Sequence, residues 1–126
     1  MLADTDATPV IAVRDIETAS AFYRDTLGLK PDGLDQDGMA RFRSGSIPVL
    51  LYESEFAGSN EANALVWSVE DDFDGVLADL RDRGVRFEHY DNLPGLTLVG
   101  DVHVAEGFKG IWFKDPDGNI LHVNGR

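Results

Sequence analysis

The chain has 126 residues, no cysteine and a formal net charge of −12, from 11 Lys and Arg against 23 Asp and Glu. It contains no apolar run near the ~20 residues that span a bilayer, no recognisable targeting segment, and no side chain for disulfides or thiolate metal sites. These features predict a cytoplasmic protein for which nucleic acid and membranes are poor partners, and whose acidity serves either solubility or the steering of a cationic ligand.

The first half of the chain predicts a strand, a helix and a meander of short strands. A strand is expected at 9–13, and Asp15 can cap the helix that follows and is closed by Gly28. Short strands are then expected at about 38–42 and 48–53. The apolar residues that recur at helical spacing are Ile16, Ala19, Phe22, Tyr23 and Leu27. The helix therefore has one buried face.

The second half repeats this pattern at an offset of 56 residues, with Asp71 and Gly84 in place of the first cap and the first closing glycine. Its helical apolar residues are Phe73, Val76, Leu77 and Leu80. The expected strands are at about 64–69, 85–90, 97–103, 110–113 and 120–123. The extra segment 92–107 is predicted to form a surface loop or a mobile lid.

The meanders echo each other at an offset of 71, which matches Leu51 with His122. The stretch 112–123 predicts a hairpin, because Pro116 presets φ for a turn and Asp115 can hydrogen-bond its own backbone. Aromatic and β-branched residues flank this turn, as strands prefer. The hairpin places His122 in a strand among apolar neighbours.

The elements together predict an α+β fold of two βαβββ modules, about 1–57 and about 60–126, in one domain of 1–126. Helices would cover the outer face of a curved mixed sheet, whose inner face would surround a shared cleft. Alternation along the strands assigns side chains to faces. Ile11, Val13, Leu65, Trp67 and Val69 would face the helices, and Thr8, Val10, Ala12, Ala64, Val66 and Ser68 the cleft.

The run from Val10 to Leu29, with Phe113-Lys-Asp-Pro-Asp-Gly-Asn-Ile-Leu121 downstream, resembles the vicinal oxygen chelate superfamily. That superfamily includes glyoxalase I, extradiol dioxygenases, methylmalonyl-CoA epimerases, fosfomycin-resistance enzymes and bleomycin-resistance proteins. The resemblance spans nearly the whole chain and specifies the fold more than a function. Its enzymes hold a divalent metal with His and Glu side chains from four strand positions, two in each module, and the metal stabilises an enediolate or oxyanion.

Carried over to this chain, the four metal positions are Thr8, Leu51, Ala64 and His122. Thr8 is a weak neutral ligand, two of the others have no donor atom, and one imidazole does not hold a catalytic divalent ion. The resemblance therefore implies that neither a metal nor another cofactor is bound. The alternative is a displaced site from His122, Glu53 and His103 in a metal-dependent lyase, isomerase or dioxygenase.

Bleomycin-resistance proteins are metal-free dimers that sequester a cationic antibiotic, and they resemble this chain in length, acidity and the ending Gly118-Asn-Ile-Leu-His122. Their second-module cleft strand is rich in tryptophan, whereas this one offers Ala64, Val66 and Ser68, so bleomycin itself fits poorly. The leading hypothesis is a homodimer that sequesters a small, partly hydrophobic metabolite or antibiotic, either neutral or cationic. A structural descendant whose cleft has no ligand is the third hypothesis.

The expected hairpin pairing places Ile111 and Phe113 on the side of His122, and Ala40 and Phe42 on the side of Leu51. The predicted ligand-binding residues are Thr8, Val10, Phe42, Leu51, Glu53, Ala64, Val66, Ser68, Ile111, Phe113 and His122. No catalytic residue is assigned. His122 and Glu53 are candidates for a metal-free acid–base pair, and His122 could equally be an ordinary hydrogen-bonded strand residue.

Overall fold

The computed structural model describes residues 1–36 and 38–126, and the side chains of these except 34–36. The described residues divide into two compact units, Met1–Ser59 and Asn60–Arg126. They contain two α-helices and ten strands, and each unit has its own mixed sheet. The α+β class is therefore confirmed. The single domain and the shared cleft stay predictions. Neither helix in the described part of the chain is long and apolar enough to cross a lipid bilayer.

The first unit has the predicted order of one strand, one helix and three strands. Its elements are β1 (Val10–Val13), α1 (Ile16–Ala21), β2 (Lys30–Gln36), β3 (Met39–Ser44) and β4 (Ile47–Glu53). Asp15 caps α1 as predicted, because its carboxylate accepts a hydrogen bond from the Glu17 N–H at 3.0 Å. The helix continues as a π-helical turn, Phe22–Thr26. The sheet order is β1-β4-β3-β2, with β1 parallel to β4.

The predicted βαβββ plan requires a third strand after the helix, but the sequence did not place one at β2. This strand contains Pro31 and Gly33, which are poor strand residues, and its ladder with β3 is interrupted after Pro31. It lies at the edge of its sheet, where proline is tolerated. Pairing with β3, rather than a local pattern, makes this segment a strand.

The second unit adds strands to the same plan. Its elements are β5 (Asn63–Ser68), α2 (Phe73–Asp82), β6 (Phe87–Glu88), β7 (Thr97–Val99), β8 (Val102–Ala105), β9 (Phe108–Lys114) and β10 (Ile120–Gly125). The sheet order is β5-β10-β9-β8-β7, β6 also pairs with β9, and β5 is parallel to β10. The cap predicted at Asp71 is wrong, because Asp71 lies inside a 3-10 turn and Asp72 precedes α2.

The segment 92–107 contains two short strands. The strands β7 and β8 pair as a hairpin within it, and β8 continues the ladder onto β9. The predicted surface loop or lid is therefore wrong for the residues in these two strands, 97–99 and 102–105.

Each helix packs on one face of the sheet in its own unit, and apolar side chains fill that interface. The buried members are Ile11, Val13, Ala19, Ala40, Phe42, Val49 and Leu51 in the first unit, and Phe73, Leu77, Leu80, Ile111, Phe113, Leu121 and Val123 in the second. We call the opposite face of each sheet its far face.

The hairpins of the two units differ in turn length. The strands β3 and β4 close across the two residues 45–46. The strands β9 and β10 close across the three residues 116–118, because the Asp115 N–H donates to the Asn119 carbonyl at 3.0 Å. The units therefore match at an offset of 71 on β9 and 72 on β10. Since side chains alternate, this single residue changes which side chains of β9 share a face with His122 on β10.

Candidate functional site

The far face of the second sheet carries five rings, which we call the ring cluster. Its members are Tyr90, His103, Phe108, Trp112 and His122. Strand register brings them together. Trp112 lies directly opposite His122, and His103 lies directly opposite Gly110. Opposite residues of antiparallel strands share a face, so β8, β9 and β10 all present a ring there.

His122 lies in a stack of rings. Its ring centroid is 4.0 Å from that of Trp112 with 19° between the planes, and 6.4 Å from that of Phe108 with 29° between the planes. Gly110 makes this packing possible, because a Cβ at that position would lie 3.0 Å from both the His122 and the Phe108 rings. A side chain larger than glycine would push these rings apart.

Hydrogen bonds fix the tautomer of His122. Its Nδ1 lies 2.9 Å from the Ile111 carbonyl oxygen, which can only accept, so Nδ1 donates. In the neutral ring Nε2 is then unprotonated, and it accepts from the side-chain amide of Asn124 at 3.2 Å. His122 thus presents a hydrogen-bond acceptor beside Asn124.

The pKa of His122 is lowered from its ordinary value of 6.5. Burial is the main cause, since the residue is 6% exposed, and the neighbouring His103 adds to it; the hydrogen bond to Ile111 acts in the opposite direction. The ring is therefore neutral at pH 7.

The lowered pKa predicts a loss of stability in mild acid. Below pH 6.5 the unfolded chain binds a proton at His122 more readily than the folded chain, so the free energy of unfolding falls as the pH drops from 6.5 towards the folded-state pKa. The His122→Phe variant keeps a flat ring against Trp112 but cannot titrate. Urea unfolding of both proteins between pH 5 and 7 should give a shallower pH dependence for the variant, and equal slopes would contradict this prediction.

His103 is fully buried within the ring cluster. Its Nε2 accepts a hydrogen bond from the Tyr90 backbone N–H at 2.9 Å, so the neutral ring carries its proton on Nδ1. Within the part of the chain that the structure describes, Nδ1 has no hydrogen-bond partner. The His103 ring also meets Trp112 edge to face, with centroids 4.9 Å apart and 85° between the planes.

Trp112 is half-buried and is held at its polar end. Its indole N–H donates to the side-chain oxygen of Asn63 at 3.0 Å, which fixes the orientation of the ring. Beside the stack, Val66 lies next to His122 on β5 and is 56% exposed. The far face of the second sheet therefore offers a fixed aromatic platform with few polar groups, a composition that suits a small, partly apolar molecule.

Comparison with known families identifies the chain. The family model described as "Glyoxalase/Bleomycin resistance protein/Dioxygenase superfamily" matches residues 7–123. The chain belongs to this superfamily. The predicted resemblance to the vicinal oxygen chelate proteins is thus confirmed. A comparison with curated protein sequences finds no match.

Three solved structures share the fold of this chain. An integron cassette protein from the Halifax Harbour sewage outfall is 20% identical, covers 93% of this chain and 94% of its own, and has a TM-score of 0.67. A lactoylglutathione lyase from Agrobacterium tumefaciens is 18% identical, the match covers 97% of this chain and 93% of that chain, and the TM-score is 0.69. The fosfomycin resistance protein FosX from Mesorhizobium loti is 14% identical, the match covers 98% of this chain and 92% of that chain, and the TM-score is 0.67. Identities this low show the fold alone.

Four predicted site residues of this glyoxalase-superfamily chain lie on the helix side of their sheets and not on the far face. Phe42, Leu51, Ile111 and Phe113 are 0–3% exposed and belong to the core. The prediction that Ile111 and Phe113 share a face with His122 is wrong, because the longer turn places Trp112 opposite His122. In the first unit, Leu50 rather than Leu51 corresponds to His122, since Leu50 lies beside Val10 as His122 lies beside Val66.

Several predicted site residues do lie where alternation placed them. Val10 is 53% exposed on β1, and Val66 and Ser68 lie beside His122 and Asn124 on the far face of the second sheet. Thr8 is exposed ahead of β1, and Ala64 is half-buried where the β5–β10 ladder is irregular. A depression of about 630 Å³ on the far face of the first sheet is lined by Val10, Gly38, Met39, Leu50, Tyr52 and Glu53.

Glu53 has a structural partner at the start of α1. Its carboxylate accepts a hydrogen bond from the Ile16 N–H at 3.3 Å, and Glu53 pairs with Val13, a residue of the helix side. A carboxylate at a helix N-terminus is favourable because it satisfies free N–H groups and complements the helix dipole. Glu53 also lines the depression on the far face of the first sheet, and the acid–base pair with His122 stays a prediction.

The metal positions of the superfamily do not fit a metal in this chain. Thr8 offers a hydroxyl, Ala64 offers no donor, and Leu50 and Leu51 are both apolar at the position that echoes His122. Among the described residues, no group of three or more His, Cys, Asp or Glu side chains is arranged to hold a metal ion. A catalytic divalent ion needs at least three such ligands.

Proposed function

We propose that this chain binds a small, planar, partly hydrophobic cation at the ring cluster, without a bound metal. The observation that carries the proposal is the stack of His122 on Trp112 at 4.0 Å, a fixed pair of rings on the far face. Aromatic faces attract cations, and indole does so best. The net charge of −12 also favours a positively charged ligand, because it raises the local concentration of cations.

The neutral state of His122 supports a cationic ligand as well. A protonated imidazole would repel a cation, whereas burial lowers the pKa of this ring and keeps it uncharged at pH 7. Its Nε2 then offers a lone pair to the ligand or to Asn124. The homodimer expected from the resemblance is part of this proposal, in which the protein sequesters its ligand.

A metal-dependent lyase, isomerase or dioxygenase is the second candidate function. One observation favours it: the Nδ1–H of His122 donates to a backbone carbonyl, which is how metal-binding histidines are commonly oriented. The donor set argues against it, because the remaining superfamily positions supply only the hydroxyl of Thr8. We therefore place binding ahead of metal catalysis.

Titration calorimetry with N-methylpyridinium tests the proposal. Protein purified without chelator is divided, one half is dialysed against EDTA, and both halves are titrated with this flat cation and with N,N-dimethylpiperidinium, which has the same charge but a saturated ring. We expect the flat cation to bind more tightly and EDTA to have no effect. A ligand at 100 times its dissociation constant should also raise the free energy of unfolding by about 2.7 kcal/mol.

Two results would reject metal-free binding of a flat cation. Equal affinity for the two cations would show that charge alone attracts them. Binding that disappears with EDTA and returns with Zn²⁺, Ni²⁺, Mn²⁺ or Fe²⁺ would favour the second candidate function.

A further inference from the structure

We infer that His103 is the polar anchor of the ring cluster, and that its Nδ1–H donates a hydrogen bond to an acceptor atom on the bound cation. The inference rests on the proposed function and adds to it the kind of cation that is bound. The ligand class becomes a flat aromatic cation that carries a carbonyl or an equivalent acceptor beside its ring.

The hydrogen bond from Tyr90 determines which nitrogen of His103 is free. The Tyr90 backbone N–H, 2.9 Å from Nε2, needs an acceptor, so Nε2 is unprotonated and Nδ1 carries the proton. Nδ1 is buried and has no partner among the described residues. The bond from Tyr90 therefore explains the role of Nε2, but it does not explain why Nδ1–H is buried without an acceptor.

A buried donor without a partner is uncommon in native proteins and destabilises the folded state. Position 103 on β8 lies opposite Gly110 and in contact with aromatic rings, and the acceptor that the Tyr90 N–H needs there accounts for Nε2 but not for the buried Nδ1–H. An acceptor atom on the bound ligand satisfies this donor and thus explains its presence among aromatic rings.

Tyr90 is the member of the cluster that can make room for the ligand. Its ring centroid lies 5.8 Å from that of His103 and 5.9 Å from that of Trp112, so it packs on both. Trp112 belongs to β9 inside the sheet and is held by Asn63, whereas Tyr90 follows β6 in the irregular segment before β7. The bound molecule takes the place of the Tyr90 ring, stacks near Trp112 and accepts from His103.

Two probes and two variants test this inference. The probes are 3-acetyl-1-methylpyridinium and 3-ethyl-1-methylpyridinium, which have the same charge and nearly the same shape, and of which only the first accepts a hydrogen bond. In His103→Gln the amide oxygen can take the place of Nε2 and accept from Tyr90, while no donor remains at the Nδ1 position. In His103→Asn the amide nitrogen takes the place of Nδ1 and keeps the donor.

Titration calorimetry should show that the wild type prefers the acetyl probe by about 10-fold, the ratio expected for one hydrogen bond. The preference should vanish in His103→Gln and persist in His103→Asn. Tyr90→Ala removes the ring whose place the ligand takes, and this variant should also keep the preference for the acetyl probe. Far-UV circular dichroism confirms that each variant is folded.

The outcomes separate this inference from the proposed function. If neither probe binds the wild type, the proposed function fails and the inference fails with it. If both probes bind equally, the ring cluster binds flat cations but His103 is not an anchor. A preference that survives in His103→Gln, or that is lost in both His103 variants, would also overturn the inference, the latter because a structural role would then explain both losses.

Discussion

Asp115→Ala is expected to lower the free energy of unfolding by about 3 kcal/mol, because it leaves three donors in the β9–β10 turn without their acceptor. Asp115 is 5% exposed. One carboxylate oxygen accepts from the backbone N–H groups of Asp117 and Asn119, each at 2.9 Å. The other oxygen accepts from the Asn119 side-chain amide at 2.8 Å. Urea unfolding monitored by circular dichroism measures the loss.

The matched control for Asp115→Ala is Asp117→Ala, which removes the same charge from the same turn of this acidic chain. It should cost less, because the backbone N–H groups of Asp117 and Asn119 both donate to the Asp115 carboxylate. Asp115→Asn should be intermediate, since it keeps an acceptor for the backbone but sets its amide against that of Asn119. A similar loss in the two alanine variants would show that charge, rather than this network, holds the turn.

Trp112→Leu is expected to weaken the binding of N-methylpyridinium by about 10-fold or more. The substitution removes the ring that stacks on His122 at 4.0 Å, together with the cation–π attraction, which is worth about 1–2 kcal/mol at a partly desolvated site. Calorimetric titration of the wild type and the variant under identical conditions gives the ratio of affinities.

Trp67→Leu is the control for the tryptophan substitution. Trp67 lies beside Val123, which is 3% exposed on the helix side of the second sheet, so the residue belongs to the opposite face from Trp112. This variant should lose stability but keep its affinity for the probe. Equal weakening by both substitutions would show that the ring cluster is not where the cation binds.

The sequence predicted the locally determined parts of the fold well. Asp15 caps α1, and Gly28 and Gly84 adopt positive φ of 75° and 84° just beyond the helical segments. The turn at 115–119 forms as its residues indicate. Each of these depends on a few neighbouring residues, and the physical reason is therefore visible in a short stretch of sequence.

The register of β9 against β10 could not be predicted in the same way. The residue types at 115–119 indicate a turn without fixing whether two or three residues remain outside the ladder, and strand alternation has a period of two. An error of one residue therefore assigned Ile111 and Phe113 to the wrong face and hid Trp112. The strand β2 was missed for a related reason, since it depends on a partner strand instead of its own pattern.

The candidate site was predicted only in part. His122 and Val66 lie together on the far face as alternation implied. His103 was named only as a displaced metal ligand. The bond from the Tyr90 backbone places its proton on Nδ1, which has no partner in the described part of the chain. Tyr90 lies in an irregular segment, where no periodicity indicates which way a side chain points. Contacts of this kind arise from tertiary structure alone.

The extra residue in the 116–118 turn has a consequence for how such paired units diverge. Because it shifts the second strand against the first, His122 occupies the place that Leu50 occupies in the other half. Gaining or losing a single codon in a hairpin can thus exchange the whole row of side chains offered to solvent, with no substitution in either strand. In lineages built from two copies of one unit, short insertions would then alter ligand preference more abruptly than point mutations do.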